Sequence, residues 1–283
     1  MANHRFGVST HLFRESRLSR EHLEHIAAHG FDAVELFATR AHFDYHDIQA
    51  VERLAEWLSD TRLELHSLHA PICESLKGGQ SVGSFSNASG NPTRRAAALA
   101  ETRALLQVAR RIPYRFLVVH LGVPSSGQRL SGDNQPDAAR RSLEDIVAIA
   151  ADVNVRVAVE VIPNQLSSAA ELVRLIEDHL EGLDVGICLD YGHAHLMGDL
   201  GEAIETISGY LWTTHLHDNH GRSDDHLVPF AGTIDWAAAT VETQKIGYDD
   251  VLMFEVGNTG DPVDILQRSA KARERLEATF VSL

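Results

Sequence analysis

The chain has 283 residues, 44% hydrophobic and 23% charged, a composition that excludes a disordered or collagenous chain and fits a globular one. Twenty-five basic residues stand against 40 acidic ones, a formal net charge of −15, which lacks the basic surplus of a general nucleic-acid binder. Cys73 and Cys188 have no CxxC spacing, so neither a disulfide framework nor a cysteine-rich zinc site is expected. No apolar run reaches the ~18 residues of a membrane span, and no secretory leader pattern is present. The expectation is a cytoplasmic protein with no membrane partner. Histidine is the outlier, at 17 residues.

Short apolar or β-branched runs alternate with longer stretches whose apolar residues recur every three or four positions, the pattern of βα units. In chain order the reading predicts strand 6–9, helix 20–29, strand 33–37, helix 48–59 and strand 63–69. A Gly/Ser/Asn-rich loop over 78–92 follows, then helix 94–110, strand 116–121, a second long loop over 124–136 and helix 138–151. The remainder reads as strand 156–162, helix 169–179, strand 185–190, helix 204–208, strand 211–217, helix 236–246, strand 251–256 and helix 262–280. Eight units of roughly 35 residues match a (β/α)8 TIM barrel, α/β in class, forming a single domain over 1–283. A doubly wound open sheet is the alternative, but no GxGxxG follows the first strand. Both long loops fall on the face where βα loops build active sites and are read as walls or lids.

Polar residues interrupt the apolar strands at their carboxyl ends. His69 ends the third strand, His120 the fourth, Glu160 lies near the end of the fifth, Asp190 ends the sixth, His215 and His217 the seventh, and Glu255 the eighth. In a barrel these converge on one mouth. Imidazoles and carboxylates without a thiolate suit a divalent cation such as Mn, Zn, Co or Mg. Such a cation would let Glu160, Asp190 and Glu255 stay ionised together, and without it their pKa values are expected to rise. Two spacings extend the set, Asp190-x-x-His193 and Asp224-x-His226. His11 and Glu35 are read as substrate or supporting contacts, and His66 as wall or core. Arg94, Arg95, Arg103, Arg110, Arg111 and Arg115 are read as a solvated face.

The motifs HAP at His69, VVHLG at His120, VEVIPN at Glu160, LDYGHAHLMGD from Leu189, HLHDNHGRSDDH from His215 and FEVG at Glu255 resemble those of the xylose isomerase-like TIM barrels. That family unites sugar isomerases and epimerases with endonuclease IV. The resemblance implies one divalent ion held by Glu160, Asp190, His215 and Glu255, with Glu160 and Glu255 as the catalytic pair. The additional ligands of endonuclease IV, which holds three zinc ions, match His69, His120, His193, Asp224 and His226, so two or three ions are the alternative. Epimerases of the family carry an Arg about six residues after the seventh-strand His. Here Gly221 takes that place beside Arg222, and His193, His11, Glu35, His217 and Arg222 are the candidate substrate contacts.

The expected activity is a metal-dependent isomerisation or epimerisation of a sugar, or of a sugar-derived acid or phosphate, by proton transfer beside a polarised carbonyl. The alternative is a metal-dependent phosphodiesterase of the endonuclease IV kind. Against it stand the acidic balance and the three lysines of the chain, since backbone phosphates call for several Lys and Arg contacts. The expected partner is a small carbohydrate rather than nucleic acid. Oligomeric state is not readable.

Overall fold

The computed structural model describes residues 4–78, 80–125, 132–257 and 260–281. The elements in chain order are β1 (Phe6–Ser9), α1 (Arg20–Ala28), β2 (Ala33–Phe37), α2 (Ile48–Thr61), β3 (Glu64–His69), β4 (Cys73–Lys77) and β5 (Gln80–Ser84). Then come α3 (Pro92–Leu106), β6 (Phe116–Val119), α4 (Pro136–Ala151), β7 (Arg156–Glu160), α5 (Ala169–His179), β8 (Val185–Asp190) and α6 (Tyr191–Met197). The chain ends through α7 (Leu200–Thr206), β9 (Leu211–Leu216), α8 (Trp236–Lys245), β10 (Leu252–Phe254) and α9 (Pro262–Val281).

Eight strands close a parallel barrel in the order β1-β10-β9-β8-β7-β6-β3-β2, which is the expected (β/α)8 architecture. Because helices cover the outside and side chains fill the inside, parallel strands read as continuous apolar runs. Residues of β6 and β8 are accordingly buried throughout. Helix starts follow local chemistry: Asn91 accepts from the Thr93 and Arg94 amides with Pro92 in the first turn, and Ser168 and Asp235 cap α5 and α8 through side-chain oxygens. Among the described residues no helix is long and apolar enough to cross a membrane.

Three details differ from the sequence expectation. The 78–92 loop is partly an antiparallel hairpin, with Cys73 opposite Ser84 and Lys77 opposite Gln80. The helix expected over 94–110 ends at Leu106 and tightens into a 3-10 turn. Between β8 and β9 there are two short helices rather than one, because Asp190 caps α6 immediately at the strand end, accepting from the His193 amide at 2.7 Å. The centre of the second long loop, residues 126–131, lies outside the described residues. Arg94 and Arg115 pair with Asp133 and Asp250 on the surface, as expected of a solvated face.

Irregular pairing aims two strands. Between β2 and β3 the register shifts after Val34, so Glu35 faces Ser67 instead of His66. His66 turns into the buried interior against Phe116. Local bulges of this kind re-aim side chains beside active sites. After β9 the chain is tied down at Asp218, whose carboxylate accepts from Trp236 Nε1 at 2.9 Å, from the Ile234 amide and from its neighbour Asn219. Asp218 also bridges Leu227 through the backbone, which closes the loop that carries Asp224 and His226. Replacing Trp236 with Phe leaves the Asp218 carboxylate short of a buried donor. The expected loss is about 1–3 kcal/mol, read as a lower denaturant midpoint with an unchanged m-value.

Candidate metal centre

Glu160, at the end of β7, is fully buried, and its two oxygens face different neighbours. Oε2 lies 3.2 Å from His69 Nε2 and 3.0 Å from His120 Nε2, and those two nitrogens are 3.3 Å apart. Oε1 lies 3.3 Å from His193 Nδ1 and 3.4 Å from His215 Nδ1 and has no hydrogen-bond partner among the described residues. Around it the side chains fall into three adjoining groups, with two further overlapping triads, Glu160 with Cys188 and His215 and His11 with His226 and Glu255, so that a thiol joins the donor set expected to hold only imidazoles and carboxylates. His69, His120 and Glu160 form one, Glu160, Asp190, His215 and Glu255 a second, and His193, His217, Asp224 and His226 a third. In each, one ligand atom per residue lies within 4.8 Å of the others.

The donor set fits divalent cations. His215 Nδ1 and Glu160 Oε1 are buried, face one another and make no hydrogen bond, an arrangement that is costly without a positive centre between them. His215 is held from behind, with Nε2 3.0 Å from Glu35 Oε2, which also accepts from Ser67 Oγ at 2.8 Å. A carboxylate behind an imidazole is what orients a metal-binding histidine. His69, His193 and His226 place Nδ1 against the backbone oxygens of Ala70, Val161 and Glu255 at 2.8, 3.2 and 2.8 Å. That fixes the tautomer and leaves Nε2 for the centre.

All nine residues of the extended ligand set are therefore brought together. The expected substrate contacts fare differently. Glu35 and His217 are 0% exposed and do not line the cavity, so both are corrected from substrate contacts to supports of the centre. Arg222 is exposed and is likewise absent from the cavity wall. His11 lines the cavity, but Nδ1 faces the Val256 carbonyl at 3.3 Å and Nε2 accepts from Arg14 at 2.8 Å. Arg14 escaped the sequence reading, having no motif to mark it.

Glu160 and Asp190 do not rise in pKa as expected of a metal-free cluster. Burial opposes the charge of Glu160, yet His120 and His215 outweigh it and hold the carboxyl well below its usual value. Asp190 is lowered in the same way by His193 and His217. Conversely, burial opposes charge on His193, but Asp190 and Asp224 hold it well above the ordinary imidazole value. His226, against Asp224, is raised to about 9. The imidazoles compensate the carboxylates that a cation was expected to serve. Burial, with His226 and Arg14 adding to it, keeps His11 neutral.

The cavity above the centre measures about 280 Å³. Its walls are Phe37, Ile72, the hairpin residues Ser81 and Ser84 with Phe85, and Val123 and Pro124. Both long loops thus contribute walls.

A family model described as xylose isomerase-like TIM barrel matches residues 23–278. The chain belongs to the xylose isomerase-like TIM barrel family. Among its relatives is the uncharacterized protein MJ1311 of Methanocaldococcus jannaschii, 27% identical over 267 residues, covering 92% of this chain and 86% of that one. A D-tagatose 3-epimerase-like protein has the same fold at TM-score 0.78 and 24% identity, covering 98% of this chain and 97% of its own. The IolI protein, solved with a bound zinc atom, superposes at TM-score 0.78 and 17% identity over 99% of this chain and 100% of its own. These likenesses establish the barrel.

Protons on His193, His215 and His226 must leave before a cation can bind. Loading zinc or manganese near pH 7 is expected to release protons, and affinity is expected to tighten as pH rises towards 9. Calorimetry in buffers of different ionisation enthalpy reads this, and heats independent of the buffer would contradict the assignment.

Proposed function

We propose that this xylose isomerase-like barrel is a divalent-metal-dependent isomerase or epimerase of a small neutral carbohydrate. One observation carries the reading. Glu160 and Glu255, carboxylates able to work as an acid–base pair, line a small cavity to which no lysine or arginine contributes among the described residues. A phosphate or carboxylate on the substrate would call for such a cation, whereas a sugar needs hydrogen bonds and flat apolar faces. Ser81 and Ser84 offer the first, Phe37 and Phe85 the second.

The reaction takes a proton from the carbon beside a carbonyl and returns one to the same or the adjacent carbon. Glu255 is the less committed carboxylate: its Oε2 is 3.7 Å from both His215 Nδ1 and His226 Nδ1. It is assigned the first proton transfer. Glu160, ionised in the free site, must itself take up a proton before it can return one to carbon, and His69 Nε2, 3.2 Å from its Oε2, is placed to supply it. Glu160, Asp190, His215 and Glu255 would hold the divalent ion, whose chemistry is Lewis-acid polarisation of the carbonyl and its neighbouring hydroxyl. The zinc atom in the IolI structure and the epimerase relatives support a metal-assisted reading. Manganese, cobalt and magnesium are the other candidates.

The phosphodiesterase reading, with up to three ions, is favoured by the union of all nine ligands in three adjoining groups. The lack of lysine or arginine in the cavity lining among the described residues disfavours it.

Two assays on metal-loaded protein separate them. Incubation with ketoses and aldoses in deuterated water is expected to place deuterium on the carbon beside the carbonyl, while bis(p-nitrophenyl) phosphate stays intact. The reverse pattern would exchange the two readings. Glu255→Gln is expected to lower kcat by about 10²–10⁴-fold, and turnover close to that of the unaltered protein would remove Glu255 from the chemistry. His226→Ala is expected to be mild for the isomerase and severe for a three-metal hydrolase, read as residual kcat.

A further inference from the structure

The first group offers three residues, and the second and third offer four each. Around a four-coordinate zinc-like ion, bonds of about 2.0–2.1 Å place ligand atoms roughly 3.3 Å apart. The first group meets that spacing with three atoms, His69 Nε2, His120 Nε2 and Glu160 Oε2, at 3.0 to 3.3 Å. All three residues line the cavity. In the third group His193 Nε2 and His226 Nε2 each lie 3.2 Å from Asp224 Oδ2. A fourth residue, His217, joins from behind the wall, its Nε2 3.7 Å from Asp224 Oδ1.

Several features set His217 in that place. It shares the inward face of the β9 segment with His215, two residues earlier, because successive side chains of an extended strand alternate. Its ring lies against His226, centroids 4.1 Å apart, and edge-on to His193. Gly192 makes room, since a Cβ there would lie 2.0 Å from His217 Cε1. His226 takes a left-handed backbone conformation at φ 46°, uncommon for a residue with a side chain.

We propose that His217 is a fourth protein ligand, closing with His193, Asp224 and His226 a cage of three nitrogens and one oxygen around a divalent transition-metal ion. This inference rests on the metal-dependent reading above and deepens it. An ion held there would fasten the 218–227 segment, which carries Asp224 and His226, to His193 on α6 and His217 after β9. His217 Nε2 also lies 2.9 and 3.0 Å from the two Asp190 oxygens, so the competing role is that of a positioning residue for Asp190.

His217→Gln tests the choice, because a glutamine amide can still donate to Asp190 but supplies no imidazole nitrogen. Zinc stoichiometry and affinity, and the visible spectrum of cobalt-loaded protein, are compared with the unaltered chain. The expected result is loss of one ion per chain, or weakening of that ion by more than about 100-fold, beyond the ~10–100-fold cost of losing a residue that only orients a ligand. The intense visible bands of four-coordinate cobalt should fall with it. Unchanged stoichiometry, affinity and spectrum overturn the proposal. Should the variant fail to fold, a crystal structure of the zinc-loaded unaltered protein decides. His217 Nε2 within bonding distance of the third ion supports the cage, and water in that position overturns it. Ions in the other groups with none held by His217 sink the cage alone, whereas protein that takes up no metal sinks the metal-dependent reading as well.

Discussion

A carboxylate taken fully out of water must have its charge answered inside the protein, at a desolvation cost of several kcal/mol per ion. Glu160 imposes that demand on the mouth of this barrel. Its two oxygens are met by histidines from β3, from the segment after β6, from α6 and from β9. Four stretches of chain must therefore arrive at one depth, and the stagger of parallel strands around the barrel supplies it: Glu160 pairs with Cys188, and Asp190 with His215. The same shared carboxylate joins the first two ligand groups, so the geometry of one cannot relax without disturbing the other.

Much of this was legible before any coordinates. Parallel strands covered on both faces are apolar runs, and a polar residue at the end of such a run stands out. Six consecutive strands show one, and a closed barrel brings them together. What stayed hidden depends on depth and register. The pairing shift after Val34 puts Ser67 opposite Glu35, and no local pattern announces it. Sequence leaves Glu35 as either a substrate or a supporting contact, and the register makes it the support behind His215. His217 reads as a substrate contact, because alternation gives the face of a strand but not its distance from the cavity. The β4–β5 hairpin was masked by glycine and serine, which code for turns while antiparallel hydrogen bonds do the pairing. Helix α6 spans only Tyr191–Met197, too short for a helical period to show.

The scaffold separates what is kept from what is free to change. Strand ends hold the cradle, and loops build the walls over it. In this chain the walls are serine, phenylalanine and proline, and the charge of the site is concentrated in its floor. That division lets a strongly acidic chain carry a cavity whose walls from the two long loops are uncharged among the described residues. The acidic residues that matter there are already paired with imidazoles.

The barrel closes by pairing its first strand with its last: Gly7 lies opposite Met253 on β10, and Glu255 follows directly. During synthesis the strand before Glu255 is therefore the final stave to leave the ribosome. Until it docks, β1 and β9 each present an unpaired edge, the kind of surface that invites association with other chains. The cluster at the barrel mouth is incomplete for the same interval, because Glu255 reaches it only with the last stave.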